Sequence, residues 1–151
     1  MCAFIMLSLL FAVNANAEGT RIAFKTNTGT EWVDVALATT PYQRAMGLME
    51  QTHLPPHRGM LFVYEGEVQP GAAGYWMYHT LIPLDIAFIG PDSRIIKTFT
   101  MLPCHDDNPS GCPIYRPGKP YLGVLEMPGG YFAQHAIHEG DTLGEGRNLL
   151  D

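Results

Sequence analysis

The stretch Tyr75–Ile89, YWMYHTLIPLDIAFI, decides how this chain is read. It holds one of the two tryptophans, two tyrosines, one methionine, a histidine and a single acid, Asp85. From Leu84 onward, strand alternation sends Leu84, Ile86 and Phe88 to one face and Asp85, Ala87 and Ile89 to the other. A carboxylate that shares a face with Ala and Ile must lie at a rim, have a partner or have a task. Upstream, Tyr75 to Thr80 reads as a second strand. Trp76, Tyr78 and Thr80 fall on one of its faces, Tyr75, Met77 and His79 on the other, and Leu81-Ile82-Pro83 makes a tight connection.

The flanking sequence repeats this pattern of short strands. Ile22–Phe24 and Trp32–Leu37 surround the turn residues Thr26-Asn27-Thr28-Gly29, with Val33, Val35 and Leu37 as a core face. Thr40-Pro41-Tyr42-Gln43 opens a helix through an N-cap, a proline at the first helical position and a capping box. The spacing of Tyr42, Ala45, Met46 and Met49 predicts that these four face the core. Arg44 then falls on the opposite side. Pro55-Pro56 excludes helix beyond Leu54. Gly59–Tyr64, Arg94–Met101 and Tyr121–Met127 are further strands. In the last of these Leu122, Val124 and Glu126 share a face, which places a second acid on an apolar side. A short helix at Tyr131–Ile137 and a strand near Thr142-Leu143 follow, with a frayed tail from Gly144. The sum is a β-rich α+β domain: a small closed or rolled antiparallel sheet of about seven or eight strands with two short helices.

Met1–Ala17, MCAFIMLSLLFAVNANA, is an apolar run ending in the small-residue triplet Ala15-Asn16-Ala17, the pattern of a secretory signal peptide. The globular domain is expected over residues 18–151, with its core at about 22–143, and a periplasmic or extracellular location is expected for it. Cys104 and Cys112 lie in a short Pro/Gly/Asn loop, and in an exported chain such a pair reads as a disulfide. Their spacing matches no common zinc pattern, and no metal site is expected. The net charge of −6 and nine scattered basic residues lack the basic stripe that nucleic acid binding requires. No later apolar run is long enough to span a membrane. The chain has no nucleophile elbow, P-loop or His-Glu-x-x-His motif, and no cofactor is expected.

Several blocks occur in one order: Arg44-Ala-Met-Gly47-Leu48-Met49, Gly59-Met60-Leu61-Phe62, Trp76-Met77 with Thr80, Pro83-Leu84-Asp85-Ile86 with Phe88, Met101 with Pro103-Cys104, Cys112-Pro113 with Tyr115, Leu125-Glu126 with Pro128–Gly130, and Gly140-Asp141. Together they resemble domain-of-unknown-function family 192 over about Ile22 to Leu143. The resemblance implies a small, often exported prokaryotic domain of β-rich α+β fold, and it implies no activity. At Tyr78-His79 the chain departs from the Lys-Asn pair usual in that family.

The candidate binding residues are Arg44, Trp76, Tyr78, His79, Asp85 and Glu126. The expected function is a non-enzymatic, exported module of the cell envelope that binds a small molecule or a protein partner. Two alternatives are carried with it. One is a small hydrolase or lyase using Asp85 and Glu126 as an acid/base pair. In that reading the two carboxyls lie about 5–9 Å apart in one pocket. The other is an envelope accessory protein that docks on another chain.

Overall fold

The computed structural model describes residues 19–151. The expected signal peptide lies outside the described residues. Among the described residues nine strands form: β1 (Thr20–Thr26), β2 (Gly29–Ala38), β3 (Arg58–Val63), β4 (Tyr75–Trp76), β5 (Leu84–Ile89), β6 (Ile95–Met101), β7 (Ile114–Tyr115), β8 (Gly123–Pro128) and β9 (Thr142–Leu143). Two short helices, α1 (Pro41–Met46) and α2 (Tyr131–Gln134), interrupt them. Seven strands make one sheet in the order β6-β5-β8-β3-β2-β1-β9, and β4 pairs with β7 in a second small sheet.

The large sheet is strongly curled, as the strand count and alternation predict, into a half-barrel. Its two edges meet at one end. Leu143 N–H donates to Ser93 O at 2.8 Å and Ile95 N–H to Asp141 O at 2.9 Å, joining β9 to the start of β6. The sheet is mixed rather than wholly antiparallel, because β2 and β3 pair in parallel. A parallel pair needs a crossover connection, and α1 with the Pro55-Pro56 segment supplies it.

Rolling gives the sheet two buried faces. One carries Ile22, Phe24, Val33, Val35, Leu61, Ala87, Ile89 and Leu125 and is closed by Phe132 and Leu143. The other carries Phe62, Leu84, Ile86, Phe88 and Val124 and lies under Leu48, Met77 and Tyr121. All six residues of β5 are therefore buried, with the alternation read from the sequence intact. Gly59 makes close contact with β8 possible: a Cβ there would lie 2.1 Å from the Glu126 carbonyl oxygen and 2.4 Å from Met127 Sδ.

Four local expectations need correction. The capping box at Thr40 and Gln43 forms, yet Tyr42, Ala45 and Met46 are exposed and the neighbouring buried residue is Leu48. The helix ends at Gly47, whose φ of 47° turns the chain, so the spacing extrapolated to Met49 runs past its end. The strand from Tyr75 stops at Trp76. His79 takes a left-handed φ of 53°, and Thr80 N–H turns back to Met77 O. Leu122 precedes β8 and joins the opposite cluster from Val124. The tail is docked, not frayed: Leu150 is buried, its carbonyl accepts from Gly66 N–H at 2.9 Å, and its side chain fills the space above Gly123.

Candidate functional site

Asp85 and Glu126 do not form a pair. In the β5–β8 ladder Ile86 stands opposite Glu126 and Asp85 stands opposite Met127. Directly opposed residues project to the same face, so Asp85 shares the face of Met127 and Ala87, while Glu126 shares the face of Ile86 and Met60. The two carboxyls lie on opposite sides of the sheet, and the two-carboxylate mechanism has no geometric basis.

Asp85 is fully engaged. Its Oδ1 accepts from Thr100 Oγ1–H at 2.8 Å and from Gly130 N–H at 3.0 Å, and its Oδ2 accepts from Phe132 N–H at 2.9 Å. Gly130 is the N-cap of α2 and has no side chain to satisfy the first helical amides. Asp85 supplies the cap from a distant strand, which explains an acid at that position.

Glu126 is the opposite case. It is only 4% exposed, and no hydrogen bond or ion pair to its carboxyl is found among the described residues. No fully occluded side-chain polar atom among the described residues lacks a partner, so the Glu126 oxygens must reach open space. That space is a narrow cleft of about 30 Å³ bounded by Arg44, Gly47, Phe62, Trp76, Thr80 and Glu126. Desolvation between Met60 and Ile86 pushes the Glu126 carboxyl up to about 8. At pH 7 about nine in ten molecules then hold it as the neutral acid, which offers one O–H donor and one carbonyl acceptor.

Arg44 turns inward instead of facing solvent. Its guanidinium donates to the Val63 and Thr39 carbonyls and lies 4.8 Å over the Tyr64 ring. It ties α1 to the end of β3 and forms one wall of the cleft, but it does not pair with Glu126. Behind this wall Tyr64 and Tyr75 share a hydrogen bond of 2.7 Å, and burial holds the Tyr75 phenol above its ordinary value. Trp76 is 42% exposed at the rim, and its register partner on β7 is Ile114, also exposed.

Tyr78 and His79 stand outside the cleft. Their rings stack at 4.0 Å, and His79 Nδ1 lies 3.2 Å from Glu50 Oε1 at the surface. The Cys104–Cys112 disulfide is present, and Cys104 bridges to Tyr78, so the covalent loop braces this segment.

One cluster escaped the sequence reading. Glu31 on β2, His57 before β3 and His135 at the end of α2 converge, although no metal site was expected. They share no motif spacing, and only the folded sheet brings them together.

Comparisons with known proteins agree with this architecture. A family model for DUF192, described as "Uncharacterized ACR", matches residues 23–144. A crystal structure of a candidate transcription regulator from Sinorhizobium meliloti 1021 is similar at 32% identity and a TM-score of 0.73, covering 84% of this chain and 93% of that one. A protein of unknown function from Novosphingobium aromaticivorans DSM 12444 is similar at 30% identity and a TM-score of 0.70, covering 83% of this chain and 84% of that one. Comparison with curated proteins finds no match. With the family model spanning most of the described residues, this chain belongs to the DUF192 family.

Proposed function

We propose that the chain is an exported, non-catalytic binding module that holds one polar end group of a small molecule or partner protein in the Glu126 cleft. The observation that carries this reading is a buried, partnerless carboxyl open to a cleft under an exposed tryptophan. A polar group left unpaired in an apolar sheet is costly, and a ligand that pairs with it recovers that cost. The cleft volume of about 30 Å³ admits an end group and not a whole ligand, so the remainder lies across Trp76, Met46 and Ile114. A neutral carboxylic acid presents a donor beside an acceptor, and a primary amide is its complement.

Catalysis is the weaker reading because Asp85, the other acid on an apolar strand face, lies on the opposite side of the sheet from Glu126. The regulator description of the Sinorhizobium protein is not carried over, since a net charge of −6 without a basic stripe does not favour phosphate contacts. Disulfide formation supports an exported location.

The test is a thermal-shift screen of primary amides, amines and carboxylates at pH 6.5, read also by Trp fluorescence. Amide-bearing compounds should raise the melting temperature of the native chain and lose that effect in W76A and E126L. Stabilisation by none of the three classes, or stabilisation untouched by both substitutions, defeats the proposal.

A further inference from the structure

On the opposite face of the sheet from Glu126, three groups converge on a single carboxylate oxygen. Tyr131 O–H donates to Glu31 Oε1 at 2.7 Å, His135 Nδ1 lies 2.9 Å from the same atom, and His57 Nδ1 lies 3.6 Å from it. His57 Nδ1 is also 2.7 Å from the Tyr131 hydroxyl. Glu31, His57 and His135 come from three different parts of the fold. Glu31 is held in the β1–β2 ladder opposite Phe24. The His57 carbonyl accepts from Asp34 N–H at 2.9 Å. His135 caps α2, and its ring stacks on Tyr131 at 4.0 Å with 19° between the planes.

We infer that Glu31, His57 and His135 form a binding site for a divalent transition metal ion of the zinc type. One carboxylate and two imidazoles are a donor set that Zn²⁺ takes in sites with an open fourth position. Around an ion with bonds of roughly 2.0–2.1 Å, tetrahedral ligand atoms stand about 3.3 Å apart. The observed separations of 2.9 and 3.6 Å bracket that edge, and all three donor atoms lie within 4.8 Å of one another. Little rearrangement is needed: the Tyr131 hydroxyl rotates its proton away from Glu31, and an ion takes the place where the donors now converge. The fourth position opens on a groove of about 400 Å³ that His53 and Gln134 also line, so solvent or a third imidazole completes the shell. A surface ion pair of one Glu with one His would not require two imidazoles and a phenol aimed at one oxygen while the other oxygen has no hydrogen bond among the described residues.

The experiment uses tag-free chain stripped with chelator and titrated with ZnCl₂ in a calorimeter. One Zn²⁺ per chain is expected. H57A and E31Q should each weaken binding roughly tenfold or more, and H79A, which alters an exposed histidine paired with Glu50, should not. Far-UV dichroism confirms that the variants are folded. Should H57A or E31Q fail to fold, the same question is read on the native chain by imidazole NMR. Zn²⁺ must then shift the His57 and His135 resonances and leave His79 and His105 in place. No one-to-one isotherm, an isotherm unchanged in H57A and E31Q, or shifts confined to other histidines overturns the site.

Discussion

Replacing Glu126 by Gln keeps the shape of the side chain and removes its titration. The native carboxyl moves from an ordinary 4.5 to about 8 on folding, because burial disfavours the charged form. The sign follows from proton binding. Between these two values the folded state keeps its proton while the unfolded state has lost it, so stability falls as pH rises. The full difference of about 3.5 units corresponds to about 5 kcal/mol. Near pH 5 the cost is only about 1 kcal/mol, and by pH 9 nearly all of it is present. The Gln variant carries no such term, so its stability relative to the native chain should rise by about 4 kcal/mol from pH 5 to pH 9. Tyr75, Tyr121 and Tyr131 are all pushed upward by burial and stay protonated through this range. The remaining ionisable groups are common to both proteins and cancel in the difference. Urea denaturation of both proteins at each pH, analysed by linear extrapolation, measures the gap. A gap that changes by less than about 1 kcal/mol would refute the claim that Glu126 is held as a neutral acid.

Three further perturbations probe the frame that holds the cleft. D85N puts an NH₂ where the carboxylate now accepts from Gly130, Phe132 and Thr100, and should cost about 3–5 kcal/mol; a melting temperature matching the native chain would mean that Asp85 does not cap α2. The C104S/C112S double variant releases a loop with a sequence separation of 8 and should lose about 2.5 kcal/mol in denaturant; an unchanged midpoint would show that the loop is held without its covalent closure. G59A drives a Cβ into the backbone of β8 and should destabilise by at least about 3 kcal/mol; native-like unfolding would contradict the close β3–β8 contact.

Much of the scaffold is legible before folding because it is local. Alternation in β5 names both of its faces correctly, and the Thr40-Pro41-Tyr42-Gln43 capping box appears as read. What fails is the relation between strands. Parity along one strand tells that Asp85 and Glu126 each sit among apolar neighbours, but only the register of β5 against β8 tells that they face away from each other. The spacing puts Arg44 and Tyr42 on opposite sides of a helix that lasts six residues, too short for a 3.6-residue stripe to decide which side is buried. The Glu31–His57–His135 cluster left no trace in the sequence because its members come from three separate elements.

The strand order carries a consequence for how the chain reaches this state. β8 lies between β3 and β5, yet it is the last of the long strands to be made. Until Gly123–Pro128 is available, β3 and β5 each lack a neighbour on that side, and the two halves of the sheet have no shared ladder. Closing such long loops costs entropy before any pairing offsets it, so folding should be slow for the chain's size and strongly cooperative. This order suits the export proposed above, since the N-terminal portion lacks β8 until late in synthesis. Fragments ending before Gly123 should stay unfolded, and adding a peptide that spans β8 should be the step that lets both halves assemble.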